Sequence, residues 1–330
     1  MNDEGSRPCY YLGLDLGGTN IKGGVVDDQG RPLAAVSGPT RADLGPEIGL
    51  DTLAEVAGRA VLASGLDWGK IEAIGLGAAG TLDTASGRII DASNLRLWNG
   101  FPLGPRLAER LDRPTFLLND ANAAAFGEYW AGAGRTTESL VLFTIGTGIG
   151  CGIVESGRII EGRHGLGGEC GHMTIQMDDG RPCSCGMTGH LEAYASVSSL
   201  VARAVEGLEA VPDSLLTASR LDGTLNGQEI YRCSELGDAL ALRLIQETAR
   251  ALAVGASVVM HTIDPDLVLF GGGMTAAGPS FLKMIGVEIQ KLVFPSAWEN
   301  TRVEFASLGG DAGFIGAAGW AKKASIGSRD

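Results

Sequence analysis
Residues 10–16 form an unbroken β-favouring run that stops at Gly17-Gly18-Thr19, and residues 21–26 follow before the turn Asp27-Asp28-Gln29-Gly30. Residues 32–36 make a third strand. Between residues 50 and 61 the apolar positions Leu50, Leu53, Ala54, Ala57, Ala60 and Val61 recur at helical spacing, and residues 71–79 then read as a buried strand. The first half is thus a β-meander followed by alternating helix and strand. Further on, a long helical pattern covers residues 240–260, and residues 267–270 form a short buried strand. There Gly271-Gly272-Gly273 turns the chain into another helix. Residues 314–320, rich in Gly and Ala, predict a closely packed last helix.

The opening pattern recurs 129 residues later. Setting Leu14-Asp15-Leu16-Gly17-Gly18-Thr19 on Phe143-Thr144-Ile145-Gly146-Thr147-Gly148 also places Gly23 on Gly152 and Val25 on Val154. A Gly-containing turn follows in both copies, at Gly30 and at Gly157. Two copies predict a duplicated domain rather than a solenoid. Two such domains facing one another would make a cleft.

Length and composition fit this picture. A chain of 330 residues exceeds one ordinary core and predicts two domains. With 45% hydrophobic and 20% charged residues the composition is that of a globular protein, and the 51 glycines, about twice ordinary usage, cluster beside apolar runs. They read as tight turns and close backbone approaches to a ligand. A net charge of -13 argues against non-specific binding of nucleic acid, whose phosphates are met by Lys/Arg surfaces, so any phosphate must be bound locally. The N-terminus lacks a signal pattern, and charge-free apolar stretches such as residues 251–263 are too short to span a bilayer. No membrane association is expected, and a cytoplasmic location is. Cys183 and Cys185 sit together while Cys9, Cys151, Cys170 and Cys233 are scattered, which is not a disulfide framework but leaves room for a metal site.

Four segments carry chemistry. In Asp15-Leu16-Gly17-Gly18-Thr19 a strand delivers an acid and then two glycines whose N–H groups can approach a phosphate, with Asp15 suited to hold Mg²⁺ through water. Alone this is an ordinary glycine turn, but its duplicate Gly146-Thr147-Gly148 would let two opposing turns clamp a triphosphate. Gly271-Gly272-Gly273 could seat a nucleotide base and ribose or be a plain turn; this segment is not G-x-G-x-x-G, and no Walker A sequence is present. Asn119-Asp120 ends the strand of residues 115–118 before an Ala-rich helix, either as its N-cap or as a carboxylate able to accept a hydroxyl proton during phosphoryl transfer. Finally, His172, Cys183, Cys185 and His190 supply two nitrogens and two sulfurs, a closed tetrahedral set suited to structural Zn²⁺.

Taken together, the Asp15 phosphate motif, Asn119-Asp120, Glu169-Cys-Gly-His172 and the Cys183-Ser-Cys185-Gly segment resemble the ROK sugar kinases, over nearly the whole chain. The resemblance implies an α/β, actin-like ATPase fold of two duplicated RNase H-like domains with a central ATP/sugar cleft, assembled as a homodimer or homotetramer. It places an N-terminal domain at 1–120, with the helix at about 312–330 packing back on it. A C-terminal domain at 121–311 would carry a zinc-binding insertion at about 164–192. It makes Asp120 the catalytic base and assigns sugar binding to Gly80, Asn119, Asp120, Glu169, His172 and Glu192. ATP would be held by Asp15, Gly17, Gly18, Thr19, Lys22, Gly146, Thr147, Gly148, Gly271, Gly272 and Gly273. His172 would serve twice, with one ring nitrogen on zinc and the other toward the sugar. The chain departs from the family pattern at His190, where the motif has cysteine; zinc accepts either.

The expected activity is ATP-dependent phosphorylation of the 6-hydroxyl of glucose, with kinases for other hexoses or N-acetylhexosamines as alternatives. Glu169-Cys-Gly-His172 resembles the glucokinase form more than the proline-glutamate version of ROK fructokinases, and polyphosphate-using relatives generally lack the cysteine cluster. A sugar-sensing repressor would carry an N-terminal helix-turn-helix, yet only twelve residues precede Gly13. An actin-like chaperone ATPase would need neither the zinc cluster nor the sugar-binding acids.

Overall fold
In the computed structural model, which describes residues 8–92 and 94–327, the expected meander forms as β1 (Tyr10–Leu16), β2 (Asn20–Asp27) and β3 (Pro32–Pro39). The rest of the first sheet comes from β4 (Ile71–Ala78) and β7 (Thr115–Asn119), and a small hairpin of β5 (Thr81–Asp83) and β6 (Arg88–Asp91) lies between them in sequence. The strand order is β3-β2-β1-β4-β7, antiparallel through the meander and parallel from β1 to β4 to β7. The second sheet repeats that order as β10-β9-β8-β11-β12, from β8 (Ser139–Ile145), β9 (Ile149–Glu155), β10 (Arg158–Ile159), β11 (Leu267–Gly272) and β12 (Arg302–Phe305). The sequence repeat is therefore a repeat of sheets.

Helices α1 (Pro46–Ser64), α2 (Leu103–Leu111) and α3 (Asp120–Ala131) accompany the first sheet. In the second half come α4 (Glu192–Ala195), α5 (Val197–Ala210), α6 (Leu216–Leu221), α7 (Gly227–Glu235) and α8 (Ala239–Ile263). They are followed by α9 (Gly278–Gln290), α10 (Pro295–Asn300) and α11 (Ala312–Gly327). Among the described residues no helix is long and apolar enough to cross a membrane.

The first sheet is covered on both faces, which is why β1 and β4 read as continuous apolar runs rather than alternating ones. One face packs Leu12, Leu14, Ile74 and Leu76 with Leu53 and Val56 of α1 and with Trp98. Tyr11, Val26 and Ala73 pack with Phe314, Ile315 and Ala318 of α11. There the helix lies at backbone distance: a Cβ on Gly13 would come within 1.7 Å of the Phe314 carbonyl oxygen, and one on Gly75 within 1.8 Å of that of Ala317. Part of the glycine excess thus serves packing, not ligand binding.

The chain divides into two compact units. Unit 1 comprises Met1–Glu138, Gly152–Gly168 and Ser307–Asp330, and unit 2 comprises Ser139–Cys151 and Glu169–Ala306. Where the sequence placed a boundary at 120, the contacts group α3 with unit 1, because α3 and α11 share a glycine-lined seam. Gly127 faces the Ala312 carbonyl and Gly316 that of Ala123 too closely for any Cβ. In unit 2 the second sheet centres on Phe143 and Phe270, stacked with centroids 5.7 Å apart.

Candidate active site
In unit 1, β1 carries Asp15 to the edge of the first glycine turn. The Gly17 N–H donates to the Asn20 carbonyl at 3.0 Å, and Thr40 closes the turn from outside, its hydroxyl donating to the Gly17 carbonyl (2.6 Å) and its N–H to that of Thr19 (2.8 Å). Burial pushes the Asp15 carboxyl up to about 7, the nearby Asp120 pushes in the same direction, and Lys22 partly opposes both. Lys22 itself is engaged, with its Nζ 2.5 Å from Asp311 Oδ1 and 3.0 Å from the Gly310 carbonyl oxygen.

The N-cap reading of Asn119-Asp120 is met by Asn119. Asn119 is the N-cap of α3: its Oδ1 accepts the N–H groups of Ala121 (2.9 Å) and Asn122 (3.2 Å), while its Nδ2 donates to the Gly80 carbonyl at 3.2 Å. Gly80 has φ +102°, and a Cβ there would lie 2.4 Å from the Asp91 carbonyl oxygen, so only glycine fits this turn. Asp120, the first residue of α3, accepts the Ala121 N–H at 2.9 Å, and desolvation raises its carboxyl above the usual range. Burial thus raises the carboxyls of both Asp15 and Asp120, and Asp120 lies near enough to push Asp15 further up.

In unit 2 the duplicate turn follows β8. Gly146 donates to the Gly148 carbonyl (2.9 Å) and accepts the Val197 N–H (2.9 Å). Glu192, at the start of α4, ties this turn to the cysteine loop: its Oε2 accepts the Ile149 N–H (3.0 Å) and its Oε1 the Ser184 hydroxyl (2.5 Å). A Cβ on residue 148 would lie 2.4 Å from Glu192 Oε2, so a side chain there would displace that carboxylate. At the end of β11, Gly272 (φ +80°) lies against the Ile145 carbonyl, and Gly273 opens a short 3-10 turn. Beside it is a cavity of about 500 Å³ whose lining includes Val197, Asn226, Gln228, Tyr231, Gly273 and Met274. The glycine run pointed to this place, but the side chains from α5 and α7 carry no local signal and escaped the sequence reading.

His172, Cys183, Cys185 and His190 come together, with one donor atom from each within 4.8 Å of all the others. His172 Nδ1 is 3.6 Å from Cys183 Sγ, and His190 Nδ1 is 3.3 Å from Cys185 Sγ. Tetrahedral zinc with ordinary bond lengths places sulfur and nitrogen donors about 3.6 Å apart, so the four residues fit the ion. The cysteines ride a tight hairpin in which Cys183 N–H donates to the Met187 carbonyl (2.8 Å) and Gly186 N–H to that of Cys183 (3.0 Å). With Nδ1 on the sulfur side, His172 keeps Nε2 free of the donor set, 4.0 Å from Glu169 Oε2.

The chain matches the ROK family over residues 11–324. It is 33% identical to a glucokinase of Halalkalibacterium halodurans over 315 residues, 95% of each chain. Among solved structures it is similar to a ROK hexokinase from Thermus thermophilus, with 35% identity, TM-score 0.80, and 96% and 99% of the two chains covered. It is equally similar to a ROK family glucokinase from Streptomyces griseus in complex with glucose and AMPPNP, with 33% identity, TM-score 0.81, and 95% and 99% covered. With the repeated sheet order, these likenesses identify the actin-like ATPase fold expected from the sequence.

Proposed function
The chain belongs to the ROK family, and from that premise we propose that it is a glucokinase, transferring the γ-phosphoryl group of ATP to the 6-hydroxyl of glucose. The observation that carries the mechanism is Asp120, a carboxyl at the start of α3 raised by desolvation beside Asp15. Asp120 accepts the proton of the 6-hydroxyl as that oxygen bonds to the γ-phosphorus, and the bond from phosphorus to the bridging oxygen breaks to release ADP. A loose transition state asks little more of the base than position and a matched proton affinity.

Asn119 holds the start of α3 and the Gly80 turn in place, and we assign both residues, with Asp120, Glu169, His172 and Glu192, to sugar binding. His172 Nε2 and Glu169 form a donor and acceptor pair suited to adjacent hydroxyls. Gly17, Gly18, Thr19, Lys22, Gly146, Thr147 and Gly148 are assigned to the phosphates. The cavity beside Gly271, Gly272 and Gly273 is assigned to the base and ribose. Mg²⁺ held through water by Asp15 would supply charge neutralisation at the phosphates. Zinc on His172, Cys183, Cys185 and His190 would supply a crosslink that sets the ring orientation of His172, without joining the chemistry. We place the enzyme in the cytoplasm as a homodimer or homotetramer, a state that light scattering reads directly.

A coupled assay over a sugar panel, with ATP and with polyphosphate, tests the proposal. Glucose with ATP is expected to give the highest kcat/KM, with N-acetylated sugars well below it. If N-acetylmannosamine outcompetes glucose, or polyphosphate outcompetes ATP, the substrate assignment fails while the family stands.

A further inference from the structure
Two residues beyond Glu192, Tyr194 touches both the helix and the loop that carry the proposed sugar and zinc residues. Its hydroxyl oxygen accepts the Arg181 N–H at 2.7 Å, and the Arg181 carbonyl accepts the Gly189 N–H at 2.9 Å. Arg181 thereby closes the hairpin that contains Cys183 and Cys185, just before His190. At its other end, the Tyr194 carbonyl accepts Nη2 of Arg203 at 2.7 Å. Arg203 is only 7% exposed, and the same nitrogen donates to the Thr248 hydroxyl of α8 at 2.6 Å, while Nη1 meets Glu247 at 3.1 Å. A buried guanidinium on α5 thus ties α4 to α8, and a phenol on α4 ties the cysteine hairpin to that anchor.

We propose that Tyr194, held by Arg203, is a positioning residue that keeps the cysteine hairpin in register with α4, so that the zinc donors and Glu192 are held as one body. The inference rests on the zinc and sugar assignments above. Among the described residues the Arg181 N–H bonds to the Tyr194 hydroxyl alone, so removing that hydroxyl leaves a partly buried donor unpaired. The neighbouring bidentate pair of Arg181 with Glu206 (2.9 and 2.6 Å) is solvent-exposed on the Glu206 side, and surface pairs of this kind contribute little.

The test compares Tyr194→Phe, which keeps the ring, with Glu206→Gln, which removes the exposed pair. For Tyr194→Phe, zinc release to an excess chelator should accelerate about fivefold, the size of one net hydrogen bond. Glucose KM should rise about threefold or more with kcat within about twofold, because the chemistry of Asp120 is untouched. Glu206→Gln should change each of these by less than about twofold. Amide exchange at Cys183 and Gly189 should quicken in Tyr194→Phe alone. A folded Tyr194→Phe protein with wild-type zinc release, KM and exchange would overturn the proposal. Should the wild-type protein hold no zinc, the zinc assignment falls, and amide exchange at Cys183 and Gly189 alone decides whether Tyr194 is the brace.

Discussion

Replacing Asp15 by Asn should make the nucleotide-free protein more stable at alkaline pH, and by an amount that depends on pH in a defined way. Burial and Asp120 hold the Asp15 carboxyl near 7 instead of its ordinary 3.8. Because the folded pKa lies above the unfolded one, the folded state keeps this proton over a range where the unfolded chain has released it. The contribution to stability is therefore undiminished below about pH 4, falls as pH rises toward 7, and stays at its lowest above that. At about 1.36 kcal/mol per pH unit the whole step corresponds to roughly 4 kcal/mol, of which roughly 3 kcal/mol falls between pH 5 and pH 8. Asn has nearly the same shape and no charge, and Lys22 retains Asp311 as its partner. The assay is urea denaturation of wild type and Asp15→Asn at pH 5, 6, 7 and 8, without nucleotide or magnesium. The stability of the variant relative to wild type should climb by about 3 kcal/mol across that range and level off above pH 7. Parallel pH profiles for the two proteins, differing by less than about 0.5 kcal/mol in slope over the range, would refute the reading of Asp15 as a buried, charge-crowded carboxyl.

Asp120→Asn keeps the Ala121 hydrogen bond but removes the base, so kcat should fall by about 10³, with glucose KM little changed and no loss of thermal stability; a variant retaining a tenth of wild-type kcat would remove Asp120 from that role. His190→Cys should keep about one zinc per chain by elemental analysis, since zinc accepts either donor. His190→Ala should lose metal and activity together, and metal content equal to wild type would exclude His190 as a ligand. Gly316→Val places a Cβ 1.7 Å from the Ala123 carbonyl oxygen and 2.5 Å from the Gly127 nitrogen, contacts that no side-chain rotation relieves. Thermal unfolding should show a loss of about 3 kcal/mol, and an unchanged transition would mean that α3 and α11 are not packed as described.

By itself the sequence determined the local elements and the chemistry of the donor set. Strong apolar runs located β1, α8 and β11 nearly to their ends and the middle of α1, because there apolar spacing and burial coincide. The repeat at Gly146 announced the second sheet, and two His with two Cys announced a zinc-like set regardless of how the loop folds. Only the tertiary structure decided which of two readings a residue takes. Asn119 and Asp120 share one motif, yet the cap geometry gives the first to α3 and leaves the second with a raised carboxyl, a difference produced by desolvation that no local pattern encodes. Likewise Gly13 and Gly75 look like the ligand-facing glycines beside them, and distant partners, Phe314 and Ala317, turn them into packing positions. The lining of the cavity beside Gly273 is assembled from α5, α7 and the turn after β11, segments tens of residues apart. Convergence of that kind depends on how helices pack, and packing is a property of the whole unit rather than of any stretch of its chain.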